Sequence, residues 1–390
     1  MTTPPPDGPA MVAALADLVE AEAATCEENR TTTPAVVEAM WSTGLLARFN
    51  PAEAGGAEPT FAEMIETWIE MARLDGSFGW IGIANLPSTA AIAAYLPEAG
   101  FAEVFGDGDR VTMGGQFFPN GTGTAVDGGY RLTGAYSFGS GTGHSEYVAA
   151  GFMPMVDGDL VYVTDGIPEL RVAVVPRAEV TFTDGWYVQG LKGTGSYDYE
   201  ITDVFVPAHR TFELFTRTPH RGTAPTFRMG LMPVVAAGHA GWALGVARSM
   251  LDDVRQLALG KVRMGDPGTL AHRTSFQTGL AHHECMWHAA HLLVLQAFGE
   301  AEAAVGAGED LTPTLRADLR AAAVYATDCS REIAQWAHLA AGTTAIREGS
   351  RLERAFRDLY TGTQHVFIGE KVASDSAQVW LGLLDDPLGL

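Results

Sequence analysis

The sequence predicts an α+β protein built from three consecutive regions. These are N-terminal helices over residues 1–107, a central antiparallel β-domain over 108–225 and a C-terminal four-helix bundle over 226–390. Three observations carry this expectation. Apolar residues recur at helical spacing on both flanks of the chain. Between them lie short runs rich in Val, Phe and Tyr, punctuated by Gly, Asp and Pro. The 390 residues suffice for two or three domains with a large core.

In the first region, residues 11–28 are rich in Ala, Leu and Glu with helical periodicity. Thr33-Pro34 starts a second helix, with Thr as N-cap and Pro in the first turn. Residues 61–74 and 79–95 continue the pattern, and the latter, small and apolar nearly all round, reads as a buried helix. In the central region, residues 111–113, 129–132, 147–152, 160–163, 172–175 and 180–182 are β-type runs, spaced as in a small barrel or sandwich. Asp127-Gly128-Gly129 signals a hairpin. In the last region, residues 234–259 are apolar, with Gly238, Gly241 and Gly245 spaced for close helix packing. Residues 272–306, 312–342 and 351–384 complete the bundle.

Lys and Arg number 25 against 47 Asp and Glu, a net charge of -22. Such a chain repels phosphate backbones and anionic lipid, which argues against a nucleic-acid or membrane-surface role. No apolar run reaches the roughly 18 residues of a membrane span. The proline-rich polar lead over residues 1–7 lacks the charged start and apolar core of a signal peptide. Cys26, Cys285 and Cys329 lie far apart and form no CxxC pair, which suits a reducing cytoplasm. His282, His283, His288 and His291 share one helical stretch, but no HExxH pattern or matching carboxylate accompanies them. No metal site is therefore expected.

The most informative stretch is residues 190–207. Its first half holds Gly190, Gly193, Thr194, Gly195 and Ser196, a composition that lets backbone and hydroxyl groups approach a polar ring. Its second half alternates as a strand does and stops at Pro207. This loop and strand resemble the central β-domain signature of the acyl-CoA dehydrogenase fold superfamily, where they lie beside the flavin. The helix–β–helix order resembles that fold over essentially the whole chain.

The dehydrogenases of that superfamily need a carboxylate base, often a Glu soon after an Arg-Asp pair. Here Arg357-Asp358 is followed by no acid before Glu370. The stretch is instead similar to the two-component flavin-dependent monooxygenases, in which Arg-x-x-Arg-Asp is followed by a helical His; Arg354, Arg357, Asp358 and His365 fit. Residues 128–144 are similar to the G-G-Y-R-L-S-G-x-W-x-F-x-S-G-x-x-H pattern of the same branch, with Tyr136 in place of the usual Trp.

This resemblance implies the oxygenase half of a monooxygenase. It would take FMNH2 or FADH2 from a separate NAD(P)H-dependent flavin reductase. With O2 it would form a C4a-hydroperoxyflavin and hydroxylate a small aromatic substrate. Ser137, Ser140, Gly141, Gly193, Thr194 and Ser196 are then the expected flavin contacts, with Ser140, Ser137 or Ser196 as donor toward the flavin. Arg263 resembles the arginine that reaches the flavin phosphate of a neighbouring subunit. His365 is the first candidate for the base that takes a phenolic proton, His144 the second. Asp358, seven residues before His365 and read on the same helix, could orient it or simply pack. Trp80, Phe78 and Tyr136 are expected around the substrate pocket, although aromatics on an apolar helix equally suit a core. The resemblance also implies a homotetramer or dimer in the cytoplasm, and the glycine-spaced helix permits such pairing. An acyl-CoA dehydrogenase with a displaced base, an N-oxygenase and a non-catalytic flavin-binding relative remain alternatives.

Overall fold

The structure, a computed structural model, describes residues 6–387 and 390 except 107, 109, 165 and 184. The first five residues of the proline-rich lead lie outside the described residues. The N-terminal helices are α1 (Gly8–Ala13), α2 (Ala16–Asn29), α3 (Pro34–Thr43), α4 (Phe61–Leu74), α5 (Gly76–Tyr95) and α6 (Glu98–Phe105). The stretch read as one helix from residue 11 is two helices that part at Ala14 and Leu15. Thr33 stands at the N-cap of α3 and Pro34 follows it, but the Thr33 side chain makes no capping bond. At α4 the cap is complete, because Thr60 Oγ1 accepts the Glu63 amide at 3.3 Å.

Helix α5 forms the inner layer. Every residue except Ala84 is buried, as its all-round small apolar composition implies. It is tied to the sheet by polar bonds. Asn85 Nδ2 donates to Met113 O at 3.0 Å and to Ser145 Oγ at 3.1 Å, and Thr89 Oγ1 accepts the Met113 amide at 3.0 Å.

The strands are β1 (Met113–Val126), β2 (Gly129–Gly139), β3 (Tyr147–Val156), β4 (Asp159–Leu160), β5 (Tyr162–Thr164), β6 (Ile167–Pro168), β7 (Arg171–Pro176), β8 (Thr181–Thr183), β9 (Tyr197–Pro207) and β10 (Thr211–Glu213). The main sheet runs β10-β7-β3-β1-β2-β9-β8, with β4 beside β3, while β5 and β6 form a separate ribbon. Its pairings are antiparallel except β1 with β3. That pair is parallel because β2 turns back along one edge of β1 and residues 140–146 carry the chain to the other edge. Most of β1 gave no strand signal. Its glycines weaken the pattern, yet they allow aromatic packing: a Cβ at Gly123 would lie 2.6 Å from the Phe152 ring. The expected hairpin joins β1 to β2, with Gly128 at φ +79°.

The C-terminal helices are α7 (Pro225–Met229), α8 (Leu231–Gly260), α9 (Thr274–Gly306), α10 (Pro313–Ala341), α11 (Arg351–Gly362) and α12 (Glu370–Trp380). The glycine stripe of α8 faces the chain's own helices. A Cβ at Gly245 would sit 2.3 Å from Ile69 O, and one at Gly241 would sit 3.0 Å from Ile65 O. The stripe thus sets the approach of α8 to α4, and it lends no support to pairing between subunits. The stretch over 351–384 is not one helix. Helix α11 stops at Gly362, where a Cβ would lie 2.2 Å from the Trp242 ring, and the chain turns away before α12. His365 is therefore not helical and does not share a helix with Asp358, contrary to the sequence reading; it caps the short turn Val366–Ile368. Among the described residues, no helix is long and apolar enough to cross a membrane.

Candidate active site

Helix α11 places the Arg-x-x-Arg-Asp motif where three elements meet. Arg354 Nε reaches Asp75 Oδ2 at 3.1 Å, and Asp75 caps α5 by accepting the Ser77 and Phe78 amides. Arg357 holds Glu27 of α2, Glu353 of its own helix and Gln189 O. Asp358 Oδ1 accepts the Leu191 amide at 2.6 Å, so this carboxylate engages the glycine-rich loop and not His365. The loop lies tight against α11: a Cβ at Gly190 would sit 2.2 Å from Arg357 O. Leu191 adopts φ +56°, a left-handed conformation that costs a non-glycine residue roughly 1–2 kcal/mol. The bond to Asp358 and the packing of Gly190 hold it there.

Leu191 in turn anchors a chain of hydroxyls. Its carbonyl accepts Trp186 Nε1 at 3.0 Å and Thr194 Oγ1 at 2.8 Å. Thr194 Oγ1 and Ser196 Oγ are 2.7 Å apart, Ser196 Oγ and Ser140 Oγ are 2.8 Å apart, and Trp80 Nε1 donates to Ser140 Oγ at 2.9 Å. Counting protons fixes the direction, because each hydroxyl has one proton to give. Thr194 gives its proton to Leu191 O, so Ser196 must donate to Thr194 and Ser140 to Ser196. Ser140 and Ser196 are thus not free donors, as the sequence reading had them. Ser140 Oγ keeps one lone pair beyond the one that Trp80 occupies. Ser137, on the opposite face of β2 from buried Tyr136, is exposed.

A cluster of rings surrounds Trp80. Its ring centroid lies 4.9 Å from that of Trp242, 5.4 Å from that of His239 and 5.9 Å from that of His365. The two imidazoles are 4.3 Å apart, and Phe367 lies 5.1 Å from His365. Burial, with the charge of Arg320 adding to it, pushes the His365 pKa down to about 4. Burial likewise holds His239 well below the ordinary histidine range, with His365 next in effect. Both rings are therefore neutral near pH 7. Their tautomers differ. His365 Nδ1 accepts the Phe367 amide at 3.3 Å, so the proton sits on Nε2. His239 Nδ1 donates to Val235 O at 2.8 Å, which leaves Nε2 as a bare, buried acceptor without a partner. The free base nitrogen belongs to His239, which the sequence reading missed. The available signal was a lone histidine in the small-residue run Gly238-His239-Ala240-Gly241 of α8.

Other expected site residues lie elsewhere. Tyr136 is not a pocket wall: its hydroxyl donates to Gly151 O at 3.0 Å, and its ring stacks on Tyr199 inside the sheet's own core. Phe78 joins the main hydrophobic core. His144 sits in the turn after β2 with both ring nitrogens buried and unpartnered; burial lowers its pKa to about 4, with Arg177 adding to it. It makes no ring contact with His365 among the described residues. Gly141, at φ +74°, lies so close to Asn85 that a Cβ would meet Oδ1 at 2.3 Å, and Gly193 donates to Ser77 Oγ at 3.2 Å. Arg263 Nη2 donates to Ala340 O at 2.7 Å, closing the end of α10 within its own chain. On α9, His282 and His283 gain the carboxylate the sequence did not show: Glu332 of α10 brings three ligand atoms within 4.8 Å of one another at the surface. A surface cavity of about 580 Å³ lined by Arg110, Glu146, Arg177 and Phe182 contains none of the predicted residues.

A sheet held between helical layers is the arrangement of the acyl-CoA dehydrogenase fold class. Residues 237–370 match the family described as acyl-CoA dehydrogenase, C-terminal domain. The chain is 28% identical over 359 residues to indole-3-acetate monooxygenase of Pseudomonas putida, covering 89% of this chain and 86% of the relative. It is 27% identical over 379 residues to the flavin-dependent monooxygenase oxygenase subunit HsaA of Mycobacterium tuberculosis, covering 92% of each. The structure of XiaF from Streptomyces in complex with FADH2 and glycerol superposes with a TM-score of 0.90 at 23% identity, covering 98% of this chain and 97% of that one. The chain has the acyl-CoA dehydrogenase fold, and it is similar over 89–92% of its length to proteins named monooxygenases.

Burial raises the Asp358 pKa to about 8, and the charge of Asp75 adds to it; burial raises Asp75 as well. Sign follows from linkage. The folded state binds a proton that the unfolded state has lost above about pH 4, so stability falls as pH rises from about 4 to 8. Asp358→Asn keeps an acceptor for Leu191 and removes the titration. Thermal unfolding of both proteins from pH 5 to 9 should show a Tm decline in wild type that is clearly shallower in Asp358→Asn. Parallel declines would separate this carboxylate from the pH response.

Proposed function

We propose that the protein hydroxylates a small aromatic substrate at the Trp80–His239–His365 cluster, with reduced flavin seated at Ser137 and Ser140, the end of the hydroxyl chain that Thr194 and Ser196 build behind them. The directional hydroxyl chain is the observation that carries this reading. When bound, reduced flavin with O2 supplies the electrophilic oxygen. Reduction turns the N5 position of a flavin from acceptor into donor, and the remaining lone pair of Ser140 suits a donor. Oxidised flavin would meet it acceptor to acceptor. His239 Nε2 takes the substrate's hydroxyl proton, which makes the ring a better nucleophile. His365 Nε2–H donates to the oxygen that gains charge, and Trp80 with Trp242 keeps water out. The dehydrogenase alternative is weaker: the first acid after Arg357-Asp358, Glu370, is exposed at the start of α12. A separate flavin reductase, a cytoplasmic location and assembly as a homotetramer or dimer belong to the same reading, as does the division at 107/108 and 225/226.

The test is a stopped-flow mix of protein and reduced FMN or FAD with oxygenated buffer. The reading expects a near-ultraviolet transient that outlives the oxidation of free flavin. Oxidation at the free rate with both flavins would overturn it.

Two sets of variants refine the roles. His239→Phe should lower coupled product formation about 100-fold or more, in the range of general base catalysis, with reduced-flavin affinity little changed. His365→Ala should release peroxide in place of product, and normal coupling there would remove His365 from the mechanism. Anaerobic titration should show wild type binding reduced flavin at least about tenfold more tightly than oxidised flavin, the scale of one hydrogen bond. Thr194→Val frees the chain's direction and should shrink that ratio; an unchanged ratio would mean the chain does not sense redox state.

A further inference from the structure

Arg320 lies on α10 and is 1% exposed, yet its Nε and Nη1 have no hydrogen-bond partner among the described residues. One turn earlier on the same helix, Arg316 is also buried, but it is held by Asp386 and by the carbonyls of Pro387 and Leu390. The nearest favourable charge for Arg320 is Asp375 of α12, which is engaged by Lys371 at 2.5 Å. A buried guanidinium with two nitrogens unpartnered loses solvation that its surroundings do not return in full, which makes it a candidate for completion by a ligand.

Its position says which ligand. The guanidinium carbon lies 5.6 Å from the Phe367 ring centroid, and that ring lies 5.1 Å from His365 and 6.5 Å from His239. The charge of Arg320 acts on both imidazoles. The orphaned nitrogens of Arg320 and the orphaned Nε2 of His239 therefore belong to side chains that share the Phe367 ring as a neighbour. A planar guanidinium presents a fork that matches a carboxylate with two parallel hydrogen bonds.

We propose that Arg320 is an anion subsite, and that the substrate is an aromatic carboxylate whose acid group pairs with Arg320 while its ring lies toward His239 and His365. This deepens the aromatic-hydroxylase reading and rests on it. The subsite sets which substrate binds; the hydroxyl chain sets which flavin state does.

The experiment is calorimetric titration of flavin-free protein at pH 7 with three acid and amide pairs of rising size: phenylacetate, indole-3-acetate and 1-naphthylacetate, each against its primary amide. The two members of a pair differ in charge and hardly in shape. Wild type should bind at least one acid tenfold or more tightly than its amide. Arg320→Lys should keep part of that preference and Arg320→Met should abolish it. Thermal unfolding without ligand gives a second readout: Arg320→Met removes an uncompensated buried charge, so its Tm should hold or rise. The proposal fails if no acid is preferred by wild type, if the preference survives in Arg320→Met, or if Tm in that variant falls as it would for a broken internal ion pair. Anaerobic binding of reduced flavin to the same proteins separates the two claims. Its absence in wild type would count against the monooxygenase reading, and its retention in Arg320→Met alongside lost acid preference would support the subsite.

Discussion

The buried carboxylate of Asp358 is the constraint on which the rest of the site depends. It accepts the Leu191 amide, and that bond, with the packing of Gly190 on Arg357, holds the loop in a left-handed turn next to α11. The carbonyl of the same residue then receives Trp186 and Thr194, and through Thr194 the direction of every hydroxyl out to Ser140 is decided. Asp75, which caps α5 beside it, carries Arg354 and fixes where Trp80 enters the cluster. The Arg-x-x-Arg-Asp motif thus acts as a clamp joining α2, α5, α11 and the glycine-rich loop. Its residues are taken up in holding these elements together.

Proton inventory separates roles that residue type alone leaves equal. Two neutral imidazoles 4.3 Å apart could each serve as a base. The backbone decides between them: a carbonyl at Val235 requires a proton on His239 Nδ1, and an amide at Phe367 requires a lone pair on His365 Nδ1. One ring is left as an acceptor and the other as a donor. The same logic turns Ser140 from a donor into an acceptor. Burial keeps both rings neutral, so each has one ring proton to place.

Close packing supplies the rigidity such assignments need. The α8 glycines bring that helix against α4, and Gly362 lets α11 end against Trp242 and Trp80. Trp242 Nε1 donates to Gly76 O at 2.9 Å, so the wall of the cluster is bonded to the helix that carries Trp80. On α10, Arg316 leaves only its Nε unpartnered among the described residues, whereas Arg320 leaves both Nε and Nη1, which is why it reads as a place for a ligand.

The sequence by itself determined the helix–β–helix order, the buried character of α5 and the Asp127-Gly128 hairpin. These are local matters: helical period, turn residues and a glycine-rich loop leave marks within a few positions. Only the tertiary structure decided that α11 stops at Gly362, that Tyr136 belongs to the sheet core and that Asp358 serves Leu191 and not His365. It also brought His239 of α8, His365 of the following turn and Arg320 of α10 to one ring cluster. No spacing rule links positions so far apart. Their meeting follows from how closely α8 can approach α4 and α5, and from which buried polar atoms are left without partners when it does.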